Sequence, residues 1–179
     1  MHRQFIHSFI FTSFSLCAAM SHAAEPHVHG IAKMLVAIDG NNLEVELVSP
    51  LDNLVGFERA PRNDRERKAV QKLMKQLNEP QSLIVPISAA KCTHNKTEID
   101  APILQSTSKT EHVHGKHDEK HAEMTAAFSF RCADPVALKS IEVRLFDVFP
   151  NLQRVQAEVA APGGQAASSL GRAHRTLSW

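Results

Sequence analysis

No run of ~20 apolar residues, no basic stripe interleaved with aromatics and no G-x-S-x-G elbow occurs in this 179-residue chain, and each absence closes a class. The longest apolar stretch, Phe5 to Met20, is broken by Ser8, Thr12, Ser13 and Ser15, so it falls short of a spanning helix. Acidic and basic side chains balance once Arg3 is set aside, and nucleic acid is not an expected partner. Cysteine is scarce: Cys17, Cys92 and Cys132 are all there is. The methionines beyond residue 24 do not cluster into a soft copper(I) site.

The N-terminal stretch has its own reading. Arg3, the apolar run and the small residues Ser21 and Ala23 form the pattern of a secretory signal peptide over residues 1–23. Residues 24–179 are then a single periplasmic domain, with no direct membrane insertion of the mature chain. Cys17 leaves with the signal. The two cysteines that remain, Cys92 and Cys132, read as one disulfide in an oxidising compartment.

What the chain has in quantity is histidine in a repeated setting. His27-Val28-His29-Gly30 recurs as His112-Val113-His114-Gly115, with Glu25 and Glu111 just upstream. His117 and His121 follow the second copy. Neutral imidazoles and carboxylates suit zinc, which takes nitrogen and oxygen ligands at ~2.0–2.2 Å. In an extended strand His27 and His29 point the same way, and Glu58 is a candidate partner for them. The candidate ligands are therefore His27, His29, His112, His114, His117, His121 and Glu58. Copper(II) gripped by a new amino terminus is disfavoured, because in Glu25-Pro26-His27 the proline removes one amide. Zinc is the expected ion.

Two other readings compete. A metal-dependent hydrolase would use His117 and His121 at metalloprotease spacing, but Asp118 stands where that motif needs glutamate, and no apolar helix holds the geometry. An interaction domain with an incidental His-rich loop is the third reading.

Alternation and turn signals outline the fold. Ile31 to Ile38 and Leu43 to Val48 read as strands around Asp39-Gly40-Asn41-Asn42. Ser49 to Glu58 shows no sustained period and reads as an ordered loop. Asn63 caps a helix with Glu66 three residues on, and Ala69, Val70, Leu73, Met74 and Leu77 form its apolar stripe. Further strands fall at Cys92 to Ile99, at Met124 to Cys132, around Ile141, Val143 and Leu145, and around Val155, Ala157 and Val159. Asp134-Pro135 marks a short helical turn. The expected fold class is α+β: a largely antiparallel sheet with one long helix packed on it, and a long, mobile His-rich loop at 100–123 between two disulfide-linked strands.

Several of these segments together resemble a known family. HVHG before a strand, SPLDNLVGFERAP before a helix, a lone cysteine, a His-rich stretch, FSFRCADP and FPNLQRVQAEV follow the order of the periplasmic, zinc-regulated ZrgA type over nearly the whole mature chain. The resemblance implies a zinc-binding protein that assists zinc uptake with an inner-membrane importer, without catalysis. It carries over most firmly to His27 and His29. Arg59 stands where many relatives carry histidine.

Overall fold

A two-residue turn sets the first hairpin. β1 (Ile31–Asp39) and β2 (Asn42–Pro50) pair antiparallel from Asp39 opposite Asn42, and Gly40 supplies the positive φ, +55°, that so short a connection requires. The computed structural model describes residues 28–105 and 122–179. Beyond β2 the chain forms α1 (Leu51–Val55), α2 (Asp64–Leu77), β3 (Ile84–Pro86), β4 (Cys92–Asp100), α3 (Pro102–Gln105), β5 (Glu123–Cys132), β6 (Ser140–Val143), α4 (Leu145–Val148), β7 (Arg154–Ala161), β8 (Gly164–Leu170) and β9 (Thr176–Ser178).

Among the described residues, six strands make the main sheet in the order β4-β5-β2-β1-β7-β8. Strict alternation puts Ala32, Met34 and Val36 of β1 on the buried face and leaves Lys33, Leu35 and Ala37 off it. Register then assembles the buried residues into rows. Val159, Val36, Val45 and Phe128 lie side by side across four strands, and Ala157, Met34, Leu47 and Ala126 form the next row. Burying a side chain the size of valine or phenylalanine contributes about 1.5–3 kcal/mol. A one-residue slip of any strand would turn its row into water, which fixes the register. The smaller sheet, β3-β6-β9, contributes Ile84, Ile141, Val143 and Leu177 to the same core, with Leu145, Phe146, Phe149 and Leu152 beside them.

The expectation of an α+β fold with one long helix packed on a largely antiparallel sheet is corrected: among the described residues the protein is mostly β, with four short helices. Helix α2 does form where Asn63 and Glu66 signal it, but only Leu73 and Leu77 of its stripe are buried. Its main neighbours are α1 and the turn at Pro80–Ser82. The sheet's apolar face shares its core with the small sheet and the turns around α4, so no long helix is needed to cover it. The sheet is also mixed, because β1 and β7 run parallel, Ile31 opposite Arg154.

The cysteine pairing stands as expected. Cys92 and Cys132 face each other across the β4–β5 ladder, with Cα atoms 3.8 Å apart, and are joined by a disulfide. Asn41 in the hairpin turn grips the same point: its Oδ1-bearing amide donates from Nδ2 to the Cys132 carbonyl at 3.0 Å, and its own carbonyl accepts the Cys132 N–H at 2.8 Å. Of the expected loop at 100–123, residues 106–121 lie outside the described residues, and its two edges are ordered. Ala101 is buried, Ile103 and Leu104 of α3 pack against the core, and Glu123 is already in β5. Among the described residues, no helix is long and apolar enough to cross a membrane.

Candidate metal site

The first HVHG ends in a tight turn. The Ile31 N–H donates to the Val28 carbonyl at 3.1 Å, and Gly30, at φ +83°, occupies the third position, where a type II turn demands a positive φ. A side chain there would be strained and would also crowd Gln153, whose Cδ stands 3.1 Å from where a Cβ would lie. His29 sits at the second position, at the tip of the turn, with its side chain 64% exposed.

Both peptide groups of Gly30 are engaged, and this anchors His29. The Gly30 N–H donates to Asn53 Oδ1 at 2.6 Å. The Gly30 carbonyl accepts from the N–H groups of Gln153 and Arg154, at 2.8 and 2.9 Å, where β7 begins beside β1. Asn53 is 1% exposed and spends its other amide end on the Ile31 carbonyl at 3.0 Å and the Ser49 hydroxyl at 3.1 Å. The buried asparagine thus closes a polar network with no orphaned group, as burial requires. Ser49 to Glu58, expected as a loop, instead contains α1, and that helix is what lifts Asn53 under the HVHG turn.

The same helix brings carboxylates to the imidazole. Asp52 Oδ2 lies 3.8 Å from His29 Nδ1. After α1, Gly56 takes the left-handed conformation, φ +83°, and its N–H caps the helix on the Asp52 carbonyl at 3.0 Å. The chain reversal places Glu58 Oε1 3.1 Å from His29 Nε2. Asn151, just before β7, donates from Nδ2 to the Asp52 carbonyl at 3.0 Å. Residues from HVHG, SPLDNLVGFE and FPNLQ therefore converge on one corner of the protein.

Of the residues named as candidates from sequence, His29 and Glu58 are brought together. His27, His112, His114, His117 and His121 lie outside the described residues. Asp52 and Asn53 were not singled out by sequence reasoning. The signal for Asn53 was an asparagine inside an otherwise apolar LDNLV stretch, a buried polar group that must find partners. Among the described residues, no group of three or more His, Cys, Asp or Glu side chains is placed to hold a metal ion.

Behind Glu58 stands a strong ion pair. Arg59 makes two bonds to Glu66, Nη1 to Oε2 at 2.7 Å and Nη2 to Oε1 at 2.9 Å. The Arg59 fork, first, and then the Arg62 N–H hold the Glu66 carboxyl down at about 2. A carboxyl lowered on folding adds stability above its unfolded value, ~4.3, and loses it as pH falls toward its folded value. Glu66→Gln is therefore expected to lower the urea midpoint at neutral pH. The gap between protein and variant should close between about pH 4.3 and about pH 2. A gap that stays constant through that window would show that the pair does not act through its charge.

The fold and this corner define a class: a mostly β, disulfide-linked domain that presents an imidazole between two carboxylates on anchored turns. The family comparison makes it specific. A family model described as ZrgA family zinc uptake protein matches residues 26–179, and the chain belongs to that family. No curated protein matches it.

Proposed function

We propose that the protein is a periplasmic zinc binder that scavenges zinc and hands it to an inner-membrane importer, without catalysing a reaction. Family membership supports the zinc uptake role. The observation that carries the site is the 3.1 Å separation of His29 Nε2 and Glu58 Oε1. Two ligands at ~2.0–2.1 Å on a tetrahedral zinc ion stand ~3.3 Å apart, so these two atoms already approximate one edge of a coordination tetrahedron. Asp52, on the Nδ1 side, is placed as the carboxylate that orients a ligating imidazole from behind.

His27, two residues before His29, supplies the third donor in this reading. The histidines at 112, 114, 117 and 121 form a second, looser zinc store, and residues 1–23 serve as the export signal. Transfer favours such a division, because an exposed two-carboxylate corner and a separate His-rich segment offer an ion two places to reside. Hydrolysis is the reading to exclude, and turnover abolished by chelator would establish it instead.

Competitive zinc titration checks the assignment. With His112, His114, His117 and His121 all replaced by asparagine, zinc stoichiometry is expected to drop while a tighter site persists. Adding His27→Ala and His29→Ala should weaken that residual site by about tenfold or more. Zinc takes only neutral imidazole, so affinity should also fall as pH goes from about 7.5 to about 5. Loss of all binding with the four asparagines alone would mean that the His-rich segment carries the metal.

A further inference from the structure

The segment that bears Glu58 has no ladder of its own. Between the Gly56 cap and α2 the chain runs through residues 57–62 without helix or strand, so side chains must hold it. They converge on Glu66. Besides the two bonds from Arg59, its carboxylate accepts the Arg62 N–H at 2.6 Å and Asn63 Nδ2 at 3.0 Å, and the Glu66 N–H donates back to Asn63 Oδ1 at 2.9 Å. Arg59 also reaches the other way. Its guanidinium lies over the Phe57 ring, 5.3 Å from the centroid, and Nη1 donates to the Ala60 carbonyl at 3.2 Å.

One guanidinium thus grips the residues on both sides of Glu58 and ties them to the first turn of α2. We infer that Arg59 is a positioning residue for the zinc site: locked on Glu66 and stacked on Phe57, it fixes the backbone that aims the Glu58 carboxylate at His29. The inference rests on the zinc site proposed above. It is separable from simple electrostatics by sign. A cation next to a zinc site repels the ion, so by charge alone removing Arg59 tightens binding. By positioning, removing it frees Glu58 to leave His29, and ordering it again on binding costs affinity.

Lysine is no substitute in this role, because an ammonium lacks the planar fork that engages both Glu66 oxygens. The test is a double-mutant cycle on the full chain, with zinc affinity of the tightest site read by competition with a chromophoric chelator. Arg59→Ala is expected to weaken zinc about tenfold, as loss of an outer supporting residue does. The same substitution in a Glu58→Ala background should add nothing. Should Arg59→Ala fail to fold by circular dichroism, Arg59→Lys, which keeps charge and stem, carries the same cycle with a smaller loss. Tighter or unchanged binding in Arg59→Ala, or an undiminished effect without Glu58, overturns the inference while leaving the zinc site standing. Unchanged binding in Glu58→Ala alone overturns the site itself and this inference with it.

Discussion

Asn53→Ala is expected to cost the domain about 3 kcal/mol and to loosen the turn that presents His29 at the same time. The substitution strips the amide partner from the Gly30 N–H, the Ile31 carbonyl and the Ser49 hydroxyl; the hydroxyl keeps its bond to the Pro50 carbonyl, and a buried group left without a hydrogen bond costs about 1–3 kcal/mol. The loss is not confined to stability. Gly30 is the residue that follows His29, and among the described residues its N–H is held by Asn53, so the turn that presents the imidazole loses that fastening. Urea denaturation reads the first effect and zinc competition the second. A loss under about 1 kcal/mol would mean that water replaces the amide, and that the corner is not held as described.

Replacing Cys92 and Cys132 together with alanine is expected to cost about 4 kcal/mol. The bond closes a segment of 40 residues, and a cross-link of that span removes about this much free energy from the disadvantage of ordering the chain. Strand β4 should suffer most. Among the described residues it is an edge strand with no fully buried side chain, paired with β5, so without the bond its ladder should exchange amide hydrogens faster than that of β1. Denaturation of the oxidised and reduced protein, with thiol labelling of the oxidised form as control, decides it. An unchanged midpoint on reduction, or labelling of both cysteines without reductant, would contradict the assignment.

The parts of this fold that can be read in the sequence are those with local signals. Leu43, Val45 and Leu47 alternate with glutamates, and Gly40-Asn41 closes the hairpin, so β1 and β2 are legible. Phe128 and Phe130 announce β5 in the same way, and the cysteines announce its partner. Nothing local announces the parallel pairing of β1 with β7, whose residues are more than a hundred positions apart. Strands of three residues, such as β3 and β9, are too short to show a period. β8, GQAASSL, has little to alternate because six of its seven residues escape burial. The stripe on α2 shows a helix with a side to cover, but a stripe does not say what covers it. That is why the long helix on a sheet was expected and is not found.

The site divides in the same manner. His29 and Glu58 are each recognisable as donors by residue type, and HVHG draws the eye by repeating. Their meeting depends on α1 and on the left-handed Gly56, which the mixed pattern of SPLDNLVGFE conceals. Asp52 and Asn53 look alike in the sequence and do different work: one faces the imidazole, the other is buried beneath its turn. The HVHG at 112–115 lies outside the described residues.

The proposed function requires His29 and Glu58 to share one zinc ion. Anomalous diffraction at the zinc edge from crystals grown with a single equivalent of zinc locates that ion. One strong peak is expected within about 2.0–2.2 Å of both His29 Nε2 and a Glu58 carboxylate oxygen. A peak on the histidines of residues 112–121, with His29 and Glu58 still in direct contact, would contradict it.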